Sequence, residues 1–430
     1  MAARGHDAPG YATQVETLEP IPAPEAGPPI REIGVRRWIK ENLFSTWYNG
    51  VLTVVFGALL AYAVYRVTKF VFFDARWEVI DRNIRLLMVF RFPREETWRL
   101  WAALFILAAS FGLGAGASAR ARAEAVGEGR GQPASRYMAL RRAGPIIVLL
   151  AVLLWFGDSL EATLLVLAVA AVAIGFRFLG RAVPRRAARW VALAVLLGIV
   201  ASFVVVTRFG GVPANEWGGF HLTLFLAVGG IVLSFPLGVL LALGRRSTLR
   251  VVRLVCTAYI ELIRGVPLIT VLFMGSLMLG YFLEPDWTWR PADVTRALVA
   301  FVLFTSAYVA EIVRGGLQSV PRGQIEAAQA VGLSPLKTTR LIVLPQALRA
   351  VIPGLVGQFI SLFKDTSLVF IIGLTDLLAV AELATKQPDF LAQGLIFETL
   401  VFISFIYWAG SYWMSRESQR LETRLGVGQR

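Results

Sequence analysis

The chain is poor in residues that hold metals or form disulfides. Cys256 is the only cysteine, which excludes a disulfide within the chain. His6 and His221 are the only histidines and lie far apart in the sequence, which argues against a histidine-based metal site. We therefore predict neither a metal site nor a catalytic residue.

The phosphate-binding loop of nucleotide hydrolases is also missing from the sequence. That loop reads G-x-x-x-x-G-K followed by Ser or Thr, whereas here Gly332 is followed by LSPLKT without a Gly-Lys pair. We therefore expect the chain not to hydrolyse ATP and to hold no cofactor of its own. No apolar run follows Met1 closely, so no cleavable signal peptide is predicted.

Long apolar runs are abundant. Hydrophobic residues make up 56% of the chain, and runs such as GFHLTLFLAVGGIVLSFPLGVLLALG can cross ~30 Å of hydrocarbon at ~1.5 Å per residue. Because isolated strands cannot satisfy their backbone in lipid, we predict an all-α polytopic membrane protein with about ten transmembrane helices. The net charge of +14 comes mostly from arginines that flank these runs, which indicates membrane topology rather than nucleic-acid binding.

The predicted organisation is an N-terminal tail followed by two sets of five spans. The tail is rich in proline and poor in large apolar residues, so we expect it to be largely disordered, and the arginines before the first span place it in the cytoplasm. Arg66 and Lys69 then lie outside, against the charge rule. The predicted segments are the cytoplasmic tail 1–46, a five-helix membrane extension 47–210, the second set 215–416 and a cytoplasmic tail 417–430.

Residues 145–180 can be read either as one long helix or as a hairpin. Arginines flank both ends, so both ends are expected in the cytoplasm. This favours a hairpin with its outer turn at Gly157-Asp158. With the N-terminus in the cytoplasm and this hairpin included, parity places residues 320–346 in the cytoplasm as well.

A mixed-polarity segment, EAAQAVGLSPLKTTRLIVLPQ, lies between two apolar blocks of the second set. Ala327 and Ala328 keep its first helix slim, and Glu326 offers a carboxylate. Gly332 allows a backbone turn that a Cβ would disfavour. These features predict a helix that docks in a groove of a partner, and the alternative is an ordinary amphipathic surface helix. Three further candidate residues close the segment: Ile342, Leu344 and Pro345, where the next helix can begin.

Three motifs resemble the permeases of polar amino acid ABC importers. They are YIELIRGVPLITVLFM at 259–274, SAYVAEIVRGGLQSVPRGQIEAAQAVG at 306–332 and LFKDTSLVFIIGL at 362–374. By this resemblance residues 320–346 are a cytoplasmic coupling loop, and 215–416 form a type I importer permease core. The N-terminal half resembles the larger permease subunits of bacterial general L-amino acid importers, of the glutamate/glutamine/aspartate/asparagine type.

The resemblance implies a permease subunit of the bacterial inner membrane that moves L-amino acids from the periplasm into the cytoplasm. It also implies partners: a second related permease, two ATPase subunits that bind ATP and Mg, and a periplasmic amino-acid-binding protein. An autonomous ion-coupled transporter is the alternative, and it would leave the coupling loop unexplained. A membrane scaffold or sensor fits the N-terminal half alone. The residues do not indicate which amino acids are carried.

Charged residues inside the second set are candidates for a translocation path, because charge in lipid is costly and tends to be functional. Lys364 and Asp365 are adjacent, and Lys364 lies roughly 22 Å along a helix from Arg349, in the outer half of the membrane. Thr366 and Ser367 are their close polar neighbours. The alternative is a structural ion pair or a snorkelling lysine.

Other residues are interpreted as structural. The second predicted span covers roughly 98–117, and its glycines indicate close helix packing: Gly112, Gly114 and Gly116. Four charged residues are predicted to serve packing or an interface: Glu261, Arg264, Glu311 and Arg314.

Overall fold

The computed structural model describes residues 34–127, 152–153, 160–184, 187–207, 211–282 and 291–425, and every regular element in these ranges is helical. Seven of the helices are long and apolar enough to cross a membrane, and one bent helix pair would make an eighth. The prediction of an all-α polytopic protein is therefore confirmed. Of the predicted span before Gly157-Asp158 only residues 152–153 are described, and that turn lies outside the described residues.

The first unit of the chain contains two described helices, α1 (Val35–Asn42) and α2 (Trp47–Lys69), and α2 continues as a π-helical turn to Asp74. Helix α1 lies inside the segment that was predicted to be largely disordered. No residue of α2 is buried within the chain, and its side chains are predominantly apolar. Such a surface suits a helix surrounded by lipid.

Helix α3 (Glu78–Val89) follows α2 in the chain and packs against the second set of spans. Its apolar residues, among them Val79, Ile80 and Leu87, line one face at helical spacing and belong to the same buried cluster as residues of the C-terminal set. Gln387, a residue of the C-terminal set, donates its Nε2 hydrogen to Asn83 Oδ1 of α3 at 2.8 Å. Residues 78–89 therefore form a helix that packs on the second set. The packing does not divide at residues 210–215.

Three further helices of the N-terminal set lie among the described residues: α4 (Thr97–Gly127), α5 (Leu160–Ala182) and α6 (Ala188–Thr207). A Cβ on Gly112 would lie 2.4 Å from the carbonyl oxygen of Ala173, and one on Gly116 would lie 2.1 Å from that of Arg177. These distances allow no side chain, so α4 and α5 meet backbone to backbone, as the glycine pattern predicts. A Cβ on Gly114 would instead meet Val195 of α6 at 3.3 Å.

The second set contains ten described helices, namely α7 (Gly219–Arg245), α8 (Arg250–Arg264), α9 (Leu268–Phe273), α10 (Leu279–Phe282), α11 (Asp293–Ser319), α12 (Arg322–Ala330), α13 (Pro335–Thr338), α14 (Leu344–Asp365), α15 (Leu377–Thr385) and α16 (Ile396–Leu425). Helix α8 and the α9 segment meet at an angle of 107°. Helix α16 continues to Leu425, so the predicted tail from residue 417 is helical in its first part.

Helix α11 lies at the centre of the second set. A Cβ on Gly238 of α7 would lie 2.5 Å from Val309 Cγ1, so α7 packs closely on α11. Tyr259 of α8 donates its hydroxyl proton to the carbonyl oxygen of Leu303 at 2.7 Å. One buried cluster joins residues of α7, α8, α11 and the start of α14 beside the coupling loop: Ala242, Ile260, Val309, Ala310, Val313, Leu317, Val320, Val343, Ala347 and Leu355.

The backbone contact between α4 and α5 predicts the effect of adding one side chain. Gly180→Val would drive a Cβ to 2.2 Å from the carbonyl oxygen of Leu113, so the helices must separate. Overpacking of this kind costs ~1–3 kcal/mol. We expect a lower thermal midpoint for the purified variant, measured in detergent.

Gly175→Val is the matched control, because Gly175 lies in the same helix and a Cβ there meets nothing within 4 Å. Both variants carry the same intrinsic penalty of valine in a helix, so the difference between them isolates the contact. Equal midpoints for the two variants would contradict close packing of α4 on α5.

Candidate functional site

The coupling loop folds as two short helices joined at a glycine. Helix α12 ends before Gly332, which is left-handed with φ of +80°. The Leu333 N–H donates to the Ala328 carbonyl oxygen at 3.0 Å, and the Gly332 N–H donates to that of Gln329 at 2.9 Å. Together these bonds close a glycine-terminated helix cap, in which any residue with a Cβ is strained.

The predicted docking residues on α12 divide between the two sides of the helix. Glu326 and Ala327 are exposed, whereas Ala328 is only 5% exposed and faces the protein. An alanine at position 328 therefore serves close packing of the loop against its own subunit. Of these three residues, Glu326 and Ala327 are available to a partner.

The second half of the loop attaches it to the membrane-spanning part of the chain. Leu344 packs against the buried cluster of α7, α8 and α11, while Ile342 is half-buried. Pro345 is exposed in the first turn of α14, where its missing N–H costs no hydrogen bond. These residues fix the direction in which α14 leaves the loop.

The solvent-exposed side of the loop also carries large apolar side chains, which were not among the predicted residues. Val331 is 76% exposed and Leu336 is 78% exposed, and Leu341 is exposed as well. Their signal in the sequence is an apolar residue beside a helix-ending glycine and another just after the α13 proline. The exposed side of the loop thus combines one carboxylate with several apolar side chains.

An ion-pair network joins three helices near the coupling loop. Glu311 of α11 receives Arg314 Nη2 at 2.5 Å, Arg245 Nη1 at 3.4 Å and Arg264 Nη1 at 3.5 Å. Arg245 also pairs with Glu261 at 2.8 Å. The four charged residues predicted for packing or an interface thus lie together, and Arg245 at the end of α7 connects them. Sequence spacing alone did not indicate that connection.

The candidate path residues differ in exposure. Lys364 is exposed at the end of α14, Asp365 is half-buried and Thr366 is fully buried. The Thr366 hydroxyl donates to the Phe363 carbonyl oxygen at 2.7 Å, and that of Ser367 donates to the Lys364 carbonyl oxygen at 2.8 Å. Within the described part of the chain, no ion pair forms at Lys364 or Asp365. Lys364 is therefore the candidate with the most accessible side chain.

A buried carboxyl that sequence reasoning missed lies just beyond these residues. Asp376 is fully buried and caps α15, where its oxygens accept from the Leu378 and Ala379 N–H groups at 3.1 Å and 3.0 Å. Thr223 of α7, also fully buried, accepts from the Leu377 N–H at 3.2 Å. Burial raises the pKa of Asp376 to about 7, and the backbone donors only partly oppose it.

A local sequence pattern could have identified Asp376 as a helix cap. An aspartate followed directly by LLAVAELAT is a typical helix start, because Asp is a preferred N-cap residue. The sequence could not indicate its burial, since α3, α7 and α16 cover this helix only in the folded chain. In the described part of the chain, no group of three or more His, Cys, Asp or Glu residues could hold a metal ion.

Two relatives match almost the full length of the chain. It is 35% identical to the inner membrane amino-acid ABC transporter permease protein YhdY of Escherichia coli (strain K12), over 91% of this chain and 93% of the relative. The sequence profile of the binding-protein-dependent transport system inner membrane component family matches residues 234–422. The chain belongs to this family. The predicted resemblance to such permeases is confirmed.

A second long relative agrees with this membership. The glutamate/glutamine/aspartate/asparagine transport system permease protein BztC of Rhodobacter capsulatus is 35% identical over 96% of this chain and 97% of that protein. Among solved structures, a crystal structure of an amino acid ABC transporter with histidines is 30% identical over 48% of this chain and 92% of that chain, with a TM-score of 0.43. This permease thus carries an N-terminal half that its two long relatives also span.

The buried carboxyl predicts a pH dependence of the stability of this permease. Unfolded, Asp376 titrates near its ordinary pKa of 3.8, whereas the folded protein holds the proton up to about pH 7. The folded state therefore binds more protons between these values, and its stability falls as pH rises from about 4 to about 7. We expect the thermal midpoint in detergent to be lower at pH 8 than at pH 5.5, and Asp376→Asn to flatten that slope.

Asn still caps a helix, so the substitution retains most of the local structure. Asp389→Asn is the control, because the Asp389 side chain is 75% exposed. A slope that stays the same in Asp376→Asn would show that another group causes the pH dependence. Asp376→Ala removes the cap and should lower the midpoint at both pH values.

Proposed function

We propose that this permease is the membrane subunit of an ATP-driven importer that carries polar L-amino acids and their amides into the cytoplasm. The observation that carries the proposal is the similarity along nearly the whole chain to two relatives named as amino-acid transport permeases. Both are named as permease components of transport systems, which supports this reading over an autonomous ion-coupled transporter.

The proposed energy source lies outside this chain. Two ATPase subunits bind ATP and Mg and dock on the coupling loop from the cytoplasm. Glu326, Ala327 and the exposed side chains of Val331 and Leu336 supply the contact surface. When the ATPases close, the loop moves with them, and the ion-pair network beside the loop passes that movement to α7, α8 and α11.

The remaining proposed partners act in the membrane and on its outer side. A second related permease completes the path as a heterodimer, and a periplasmic binding protein delivers the amino acid. Both termini of this chain lie in the cytoplasm in this arrangement. Arginines concentrated before α2 and between α4 and α5 support that orientation.

The proposed path passes Lys364 and Asp365, at the outer end of α14. An ammonium and a carboxylate are complementary to the two charged groups of an amino acid. The exposed Lys364 side chain and the lack of an ion pair at either residue among the described residues support this placement. Thr366 and Ser367 use their hydroxyls on the helix itself, so they shape the helix end.

Uptake by a reconstituted complex tests the proposed function. The chain, its partner permease, the ATPases and the binding protein are placed in liposomes and given labelled glutamate, glutamine, aspartate or asparagine. We expect accumulation that requires both ATP and the binding protein. Uptake driven by an ion gradient without ATP would overturn the proposal.

The turn at Gly332 predicts a coupling defect. Gly332→Val places a β-branched residue at φ of +80°, a strain of ~1–3 kcal/mol that the loop relieves by changing shape. We expect the complex to assemble, while substrate-stimulated ATP hydrolysis and uptake both fall several-fold. Glu326→Lys, which reverses an exposed charge on the same loop, should lower both rates as well.

Gly323→Val is the matched control for the glycine. Gly323 lies in α12, a Cβ there meets nothing within 4 Å, and its backbone is helical. Normal coupling in both Gly332→Val and Glu326→Lys, at matched expression, would remove the docking assignment.

The path assignment predicts a transport defect without loss of assembly. Lys364→Met and Asp365→Asn should each lower uptake, while the ATPases still co-purify and the preference among amino acids shifts. Lys386→Met is the control, because Lys386 is also exposed but pairs with Glu382 at 3.3 Å. If each single variant loses assembly and the double variant restores it, the two residues form a structural pair instead.

A further inference from the structure

Helix α1 has an apolar face with no role in the folded unit to which it belongs. Successive residues of a helix are turned by ~100°, so Val35, Trp38 and Ile39 fall within roughly a third of the circumference. All three side chains are exposed, and no residue of α1 is buried. A tryptophan within such a face is typical of helices that lie in the membrane interface.

The opposite face of α1 is charged. Arg36 and Glu41 flank the apolar face on its two sides, and Lys40 and Arg37 lie between them on the far side. Arg37 pairs with Glu41 at 2.6 Å, whereas Arg36 and Lys40 form no ion pair within the described part of the chain. Long cationic side chains on a flank can extend to the phosphate level while their stems cover apolar surface. The two unpaired cations are thus placed to meet phosphates, and Arg37 has its charge satisfied within the helix.

The segment between α1 and α2 holds the two helices in a defined relation. Thr53 of α2 donates its hydroxyl proton to the Leu43 carbonyl oxygen at 2.8 Å, and Asn49 Nδ2 donates to Ser45 Oγ at 2.8 Å. A Cβ on Gly50 would lie 3.4 Å from Phe44, so that ring packs on the first turns of α2. Helix α1 is therefore attached at the very start of a membrane-crossing helix.

We propose that α1 is an interfacial helix that docks on the anionic phospholipid surface of the membrane crossed by α2. Its apolar face enters the boundary of the acyl chains, and Arg36 and Lys40 contact lipid phosphates. Continuity with α2 supplies the membrane within four residues, and the unpaired cations supply the charge complementarity. The inference does not depend on which substrate the permease carries.

A fluorophore on α1 tests the docking in the full-length protein. Ile39→Cys in a Cys256→Ser background leaves one thiol on the apolar face, and the labelled permease is placed in nanodiscs. Two populations of label are measured. Docked label is protected from iodide and quenched by nitroxide lipid, whereas undocked label is quenched by iodide. The readout is the ratio of docked to undocked label. We expect this ratio to be high with phosphatidylglycerol and to fall in pure phosphatidylcholine or at high salt.

Three single substitutions compare the two cations without an ion pair with the paired one. Arg36→Gln and Lys40→Gln should each lower the ratio about five-fold in phosphatidylglycerol, since a cation near an anionic surface contributes about that factor. Arg37→Gln is the matched control, because it removes the same charge from a paired residue and should change the ratio less than two-fold. The helix and its apolar face are the same in all three.

Each remaining outcome would overturn the proposal. Label that iodide reaches in every lipid would show that α1 does not dock. Protection that is equal in both lipids and in all variants would show docking without anionic phospholipid. Protection that appears only after the ATPase subunits are added would identify a protein surface as the partner of α1.

Discussion

Close contact between helix backbones is the constraint on which this fold depends. Lipid tails are as apolar as leucine, so apolar side chains alone do not hold membrane helices together. At Gly112, Gly116 and Gly180 the α4 and α5 backbones meet without a side chain between them, and at Gly238 the backbone of α7 packs on the Val309 side chain of α11. Dispersion contacts over these surfaces replace the hydrophobic driving force of a water-soluble core.

The pairing of charged side chains follows from the same low-dielectric surroundings. Glu311 sits among three arginines at the ends of α7, α8 and α11, where an isolated carboxylate would be costly. The network and the buried cluster next to it form a rigid base for the coupling loop. A loop attached in this way can transmit a displacement to the spans, because packed helices move as units rather than deform.

One helix of the N-terminal half, α3, is part of the core of the second set. Helix α3 buries its apolar face on α15 and α16. Its Asn83 accepts a hydrogen bond from Gln387, and the N–H of Arg76, just before the helix, donates to Glu398 of α16. Removing this half would therefore expose core residues of the second set. Its relation to the coupling loop is indirect, through α7, which contacts both α3 and α11.

The sequence by itself determined the helical membrane fold, the position of most spans, the backbone turn at Gly332 and the family. These are local properties, since hydrophobic length, helix-ending glycines and contiguous motifs are read within a few turns of chain. The tertiary structure alone decided which side of α12 is buried and that Arg245 joins Glu261 to Glu311. It also decided that Thr366 and Asp376 are buried. Each depends on contacts between residues far apart in the chain, and neither periodicity nor spacing contains them.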